Sequence, residues 1–187
     1  MMLVEPEVPF VVAYRALGAA LLASDGRLDD ARSMIGPLVN DEVLPLASNG
    51  DRMTAYRWLP DVLGALGDQD LAAGFLPEVL PYRGQLLVGA EPSLVWGAAD
   101  RSIGQLLTIL GRFDEAEDFF RQAVLLEATV RGRPLVARSR LAWASMYAKR
   151  GRPGDSDRVQ SLAGQARQDA AALAMVGVER AAHQLLG

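Results

Sequence analysis

Four glycines, spaced almost evenly along this 187-residue chain, constrain its fold more than any other feature. Gly26, Gly67, Gly111 and Gly151 are separated by 41, 44 and 40 residues, and each closes a stretch with helical hydrophobic spacing. An acid-rich segment follows, as in "RLDDARSMI" after Gly26 and "RFDEAEDFF" after Gly111. Glycine is favoured just past a helix C-terminus, and acids are favoured in the first turn of the next helix. The spacing therefore predicts helical units repeated about every 42 residues, as in an α-solenoid.

Composition agrees with packed helices and excludes several kinds of site. Half of the residues are hydrophobic and only 6% are aromatic, which predicts a core of Ala, Leu and Val between helices. Cysteine is absent, which excludes disulfides and thiolate metal sites. His183 is the only histidine. The net charge of −4 leaves no chain-wide basic surface for nucleic acid. The sequence has neither a recognisable signal peptide nor an apolar run long enough to span a bilayer, so we expect a cytoplasmic protein. We also expect no metal and no cofactor.

The third unit resembles a tetratricopeptide repeat. Ile103-Gly104 stands where that family has Leu-Gly, and the next helix carries its small, large, small positions at Ala116, Phe120 and Ala123. Small residues let two helices approach closely, and a large one fills the space that remains between them. The period near 42 exceeds the 34 residues of the standard repeat, so helices or loops are longer. The resemblance implies an all-α, right-handed solenoid of about four helix pairs.

These patterns predict a single helical-repeat domain over residues 1–187. Its units are expected at about 8–40, 51–81, 93–131 and 134–175, followed by a C-terminal cap helix at 177–186. The irregular link 81–92, "PYRGQLLVGAEP", is the candidate hinge. Within the third unit the two helices are expected at 93–110 and 113–130.

A wider resemblance runs from about Trp58 to Glu179. It is carried by "WLPDVLGALGDQDLAAGFLPEVLPYRGQLL", "GAADRSIGQLLTILGRFDEAEDFFRQAV" and "RPLVARSRLAWASMYAKRG". These stretches resemble the helical-repeat region of large actinobacterial ATPase regulators, the LuxR-type activators and related proteins with a cyclase domain. The resemblance implies a non-catalytic scaffold or sensor that binds a peptide, a protein or a small effector and restrains or triggers an NTPase core. No phosphate loop or helix-turn-helix motif is present, so we expect no nucleic acid binding by this segment.

One set of arginines recurs at a fixed register, in "RALG", "RWLP" and "RSIG", with a looser match in "RSRLA". Equivalent positions of stacked repeats line up, and the tetratricopeptide resemblance implies that they face a concave groove. Such a ladder would suit a carboxylate, a phosphate or an acidic peptide. The alternative is that the arginines pair with acids of neighbouring helices. The predicted groove residues are Arg15, Arg57, Asp61, Arg101, Gln105, Arg138 and Arg140.

Charge is also segregated along the second half of the chain. Residues 128–154 contain seven basic residues and no acid, whereas the preceding helix is acidic from Asp114 to Glu127. Two interpretations follow: the segments attract each other, or the basic one docks an acidic partner. The acids at 114–118 sit at a helix start, where the helix dipole alone favours them, so we predict no metal site there.

Two further functions compete with the binding module. The first helix, "VPFVVAYRALGAALLA", is apolar nearly all round, which predicts a homodimer through the N-terminal helix, or a preceding repeat if the chain is a fragment. The chain would then be a self-associating structural remnant. The other alternative is an enzyme that uses a cleft of perturbed carboxylates, with Asp61 beside Asp100.

Overall fold

Helices account for 81% of the residues that the structure describes. The structure is a computed structural model that describes residues 11–40, 49–89 and 94–187. Within these ranges it has nine α-helices, one 3-10 turn and one sheet of two strands, which confirms the predicted all-α class. None of the helices in the described ranges combines the length and the apolar character that crossing a membrane requires.

The elements follow one another in a simple order. The helices of the first part are α1 (Val11–Ser24), α2 (Leu28–Asn40), α3 (Asn49–Leu66) and α4 (Gln69–Val79). A 3-10 turn (Leu80–Tyr82) and the strands β1 (Leu86–Val88) and β2 (Val95–Ala98) come next. The helices of the last part are α5 (Ala99–Ile109), α6 (Phe113–Thr129), α7 (Arg133–Arg150), α8 (Asp155–Ala172) and α9 (Val176–Leu186).

The four predicted glycine caps are confirmed. Gly26, Gly67, Gly111 and Gly151 have φ angles of +77°, +65°, +73° and +63°, the left-handed conformation in which a side chain is strained. After Gly111 the next amide donates to the carbonyl of Leu107 at 2.9 Å, the longer bond of a Schellman motif. The chain reverses at each of these glycines because only a residue without a Cβ enters this conformation at little cost.

Two further caps lack glycine at the left-handed position. Arg131 after α6 has a φ of +54°, and Ala174 after α8 has a φ of +55°. The amide of Gly132 still donates to the carbonyl of Glu127 at 2.9 Å, so the Schellman bond forms without glycine at the strained residue. The helix predicted at 113–130 nevertheless ends within one residue of the observed end at Thr129.

The helix predicted at 93–110 is wrong in its first part, because β2 occupies Val95–Ala98 and α5 begins only at Ala99. The amide of Ala98 donates to the carboxylate of Glu127 at 3.0 Å, and Gly97 has a φ of +120°. These two features hold the backbone out of the helical conformation until Ala99. β1 lies inside the link predicted at 81–92. Residues 90–92 of that link are outside the described ranges. Residues 8–10 of the first predicted helix are also outside them.

The chain forms two compact units. The first comprises the residues up to Gly67 together with Leu87–Trp96, and in it α1 packs on α2 and α3, which also touch each other. The second comprises Asp68–Leu86 and Gly97–Gly187. In the second unit each helix from α4 to α9 packs on the next, and α7 also contacts both α5 and α9.

The close packing predicted around Phe120 is confirmed. Ala116, Phe120 and Ala123 of α6 are fully buried, as is Ile103 of α5. A Cβ added to Gly104 would lie 3.1 Å from three ring atoms of Phe120, closer than ordinary van der Waals contact. The missing side chain at Gly104 therefore makes room for the phenyl ring between α5 and α6.

We expect opposite results from alanine at two helical glycines. Around Gly164 in α8 an added Cβ would meet no atom within 4 Å, so Gly164→Ala should raise the free energy of unfolding by about 0.5–1 kcal/mol. Gly104→Ala gains the same helix propensity but crowds Phe120, which costs about 1–3 kcal/mol and should cancel or reverse the gain. Urea denaturation of both variants measures the difference.

The background variant Phe120→Leu serves as the control. In that background the ring no longer crowds position 104, so Gly104→Ala should become more favourable than in the native chain. Equal effects of Gly104→Ala and Gly164→Ala in the native background would contradict this account of the packing.

Candidate functional site

Arg57, a predicted groove residue, is buried in the first unit. Its Nη1 lies 2.6 Å from Oδ2 of Asp61, one turn further along α3, and its guanidinium stacks 4.2 Å from the ring centroid of Trp58. Trp58 in turn meets Trp96 edge-to-face, with 6.1 Å between the ring centroids. Two predicted groove residues, Arg57 and Asp61, thus pair with each other, and Arg15 lies half-buried on α1 of the same unit.

Arg101 lies in the interior of the second unit. Its side chain is 2% exposed and its Nη1 is 3.6 Å from Oε1 of Glu127, whose side chain is fully buried. A Cβ on Gly97 would come within 2.8 Å of Nη2 of Arg101, so only glycine leaves room for the guanidinium. Removing one member of a buried ion pair costs about 3–5 kcal/mol, because the other charge stays buried. Arg101 is part of the core.

Glu127 is the important residue that sequence reasoning missed. Oε2 accepts a hydrogen bond of 2.7 Å from the hydroxyl of Ser139, and Oε1 accepts one of 3.0 Å from the amide of Ala98. The signal was present, because Glu127 continues the buried stripe of Ala116, Phe120 and Ala123 at helical spacing. A carboxylate on a core stripe predicts a buried partner.

Asp61 and Asp100, the carboxylates of the enzyme alternative, belong to different units and each has its own partner. Oδ2 of Asp100 accepts a hydrogen bond of 2.7 Å from the amide of Gly84. Burial raises the pKa of the Asp100 carboxyl, and the bond from Gly84 opposes that rise. Among the described residues, no group of three or more His, Cys, Asp or Glu side chains could hold a metal ion.

The remaining predicted groove residues lie on α5 and α7 of the second unit. Gln105 is half-buried one turn after Arg101. Arg138 and Arg140 are two residues apart, which places them about 200° apart around α7. Nη1 of Arg140 lies 2.8 Å from Oδ2 of Asp169 on α8, and Arg133 reaches the same carboxylate. The predicted ladder is therefore divided between the core, the helix contacts and the surface.

One face of α7 remains accessible. It carries half-buried and exposed residues spaced three or four apart, whereas the opposite side of the helix holds the buried residues. The face has two basic residues and no acid. We call this set the α7 face; it comprises Arg138, Leu141, Ala142, Ser145 and Lys149.

The charge segregation is resolved largely by ion pairs inside the second unit. Arg150 at the end of α7 is only 7% exposed and contacts three carboxylates: Asp155 at 2.7 Å, Glu117 at 3.1 Å and Asp114 at 3.3 Å. Asp114 also pairs with Arg152 at 2.7 Å. The acids at the start of α6 thus bind arginine side chains, which agrees with the interpretation of mutual attraction.

This Arg150 cluster shifts the titration of its members. The hydrogen bonds from the Arg150 guanidinium lower the pKa of the Asp155 carboxyl from 3.8 to about 2. The same contact raises the pKa of Arg150 above its ordinary value. Arg158 donates to the phenol oxygen of Tyr147 at 2.8 Å, and Tyr147 stacks on Trp143 with ring centroids 6.1 Å apart. The cluster connects α6, α7 and α8.

Comparison with known proteins identifies no relative: no family model matches the chain, and neither a curated protein nor a solved structure matches it.

We expect Asp155→Asn to destabilise the protein in a pH-dependent way. Because the folded pKa of Asp155 lies below its ordinary value, the carboxylate stabilises the fold above about pH 3.8, and this contribution is lost as the pH falls towards 2. The melting temperature of the variant should therefore lie below that of the native protein at pH 5–7, and the gap should close near pH 2. Thermal unfolding across this range measures it.

Asp157, which is exposed in the same first turn of α8, gives the matched control. Asp157→Asn removes the same charge and should leave most of the stability between pH 5 and 7 unchanged. A gap between Asp155→Asn and the native protein that is independent of pH would contradict the assigned ion pair.

Proposed function

We propose that this chain is a helical-repeat binding module, a right-handed solenoid of about four helix pairs with a period near 42 residues. The glycine caps at 41, 44 and 40 residue intervals support the repeat. So does the packing of the second unit, in which α7 touches both α5 and α9, the first helices of the neighbouring pairs. Stacked helix pairs leave one side of their first helices available to a ligand.

The accessible α7 face is the observation that carries the proposal. Arg138 and Lys149 lie at its two ends, with Leu141 and small side chains between them. No acid occurs in residues 128–154, so the face carries two basic residues and no acidic residue of its own helix. A basic surface with an apolar centre suits an acidic peptide or an acidic segment of a protein partner.

The biological role that we propose is regulation of an ATPase. The sequence resemblance to the repeat region of LuxR-type regulators supports this role, and it implies a cytoplasmic module beside an NTPase core. Occupation of the α7 face by a partner would then restrain or release that core. In this proposal the chain itself carries out no catalysis, and binding is its function.

Selection of random twelve-residue peptides on the immobilised protein tests the proposal. Peptides enriched in Asp and Glu should bind the native protein. The double variant Arg138→Glu/Lys149→Glu should lower their affinity by at least about tenfold, because it places like charges against the peptide. Fluorescence anisotropy with one selected peptide measures the affinity, and rising salt should weaken it.

The double variant Arg131→Glu/Arg83→Glu is the charge-matched control, since both arginines are exposed and lie outside the α7 face. It should retain the affinity of the native protein, and thermal unfolding verifies that both variants are folded. Recovery of peptides without acidic enrichment, or equal loss in the two variants, would count against the α7 face as the binding site.

A second candidate function is self-association through α1. Tyr14 and Leu21, seven residues apart on one side of this helix, are 72% and 60% exposed, opposite the buried Val12, Ala16 and Ala19. Two large apolar side chains on one helical face favour contact with the same face of a second copy, related by a two-fold axis.

For this second function we expect the native protein to scatter light as a dimer, twice its 20.1 kDa mass, and Tyr14→Lys/Leu21→Lys to scatter as a monomer. Charging the face makes its burial against another copy unfavourable. Leu125→Lys/Val130→Lys replaces two other exposed apolar residues and should leave the dimer intact. A native protein that is monomeric at low micromolar concentration refutes self-association through α1.

A further inference from the structure

An open pocket of about 340 Å³, called the cavity below, lies on the surface between α8 and α9 of the second unit. Arg167 of α8 lines one side, and Val176, Glu179, Arg180 and His183 of α9 line the other. The α9 residues follow a helical spacing of three and four, so they share one face of that helix. The volume is at the lower end of the range for ligand pockets, which fits a small molecule.

The two arginines of this cavity differ from those arginines of the second unit that are held in ion pairs. Arg140, Arg150 and Arg152 are held by carboxylates of neighbouring helices. Within the described ranges, by contrast, no ion pair or side-chain hydrogen bond engages Arg167 or Arg180. Two solvent-exposed arginines thus line the same open pocket, and their guanidinium donors remain available.

The lining specifies the chemistry of a ligand. A guanidinium presents a planar set of donors that binds a phosphate or carboxylate group in bidentate fashion. His183 adds a ring nitrogen to the same side of α9, and Glu179 offers acceptor oxygens that would repel a bare anion. The mixture therefore favours a molecule that carries both an oxyanion and a hydroxyl group.

We propose that this cavity binds a small hydroxylated oxyanion, with Arg167 and Arg180 on the phosphate or carboxylate group and Glu179 accepting from the hydroxyl. In this proposal Val176, an exposed lining residue, contacts the carbon skeleton. The site shares no residue with the α7 face and does not rest on peptide binding there. It gives the module a place at which a small effector could act.

Titrations followed by ¹H–¹⁵N NMR test the site with three probes: inorganic phosphate, glycerol 3-phosphate and glycerate. At least one hydroxylated probe should bind saturably with a dissociation constant below about 10 mM, shifting the amides of Arg167 and of residues 176–183. It should bind more tightly than inorganic phosphate. A preference for glycerol 3-phosphate assigns a phosphate ligand, and a preference for glycerate assigns a carboxylate ligand.

Variants separate the roles of the lining residues. Arg167→Gln and Arg180→Gln should each weaken binding of the preferred probe by about tenfold or more, as expected for a lost charged hydrogen bond. Glu179→Gln should reduce the preference over inorganic phosphate, and Arg131→Gln, an exposed arginine outside the cavity, should change nothing. Absence of saturable binding, equal affinity for all three probes, or equal binding by the arginine variants would each overturn the proposal.

Discussion

The second unit depends on one buried carboxylate. Glu127 of α6 lies beside Arg101 of α5, accepts from Ser139 of α7 and accepts from the amide of Ala98 at the end of β2. A buried carboxylate is stable only when its oxygens are satisfied, so these contacts cannot be rearranged independently. Glu127 therefore determines where β2 ends, where α5 begins and how α6 meets α7. The small residues at Gly97 and Gly104 allow this arrangement, because a larger side chain at either place would crowd the guanidinium of Arg101 or the ring of Phe120.

Most of the arginines of this unit stabilise the protein rather than a ligand. Arg101 is in the core, Arg140 joins α7 to α8, and Arg150 joins α6, α7 and α8. The two proposed binding surfaces use a smaller set of solvent-accessible cations: those of the α7 face and those of the pocket between α8 and α9. The proposed module would recognise negative charge at two separate places, one extended along a helix and one in an open pocket between two helices.

The sequence predicted the helical elements well because the signals that define them are local. The left-handed glycines, the acid-rich helix starts and the small, large, small pattern around Phe120 all act within a few residues. The errors occurred where a distant residue intervened. Residues 94–98 were predicted as helix, but Glu127, 29 positions from Ala98, accepts the amide that holds the strand in place. Arg131 forms a helix cap without glycine, yet the end of that helix was predicted at residue 130, within one residue of the observed end at Thr129.

The predicted arginine ladder was also affected by residues that are distant in the sequence. Arg57 and Arg101 share a sequence register that predicted a groove position for both, yet both side chains are buried beside carboxylates. The sequence by itself determined the helical class, the caps and the helical face on which each arginine lies, since these follow from backbone conformation and a period of 3.6 residues. Only the tertiary structure decided which cations are neutralised and which stay accessible. That outcome depends on carboxylates brought near by folding, and the free energy of a charge changes with its partners and its exposure to water far more than with its position along a helix.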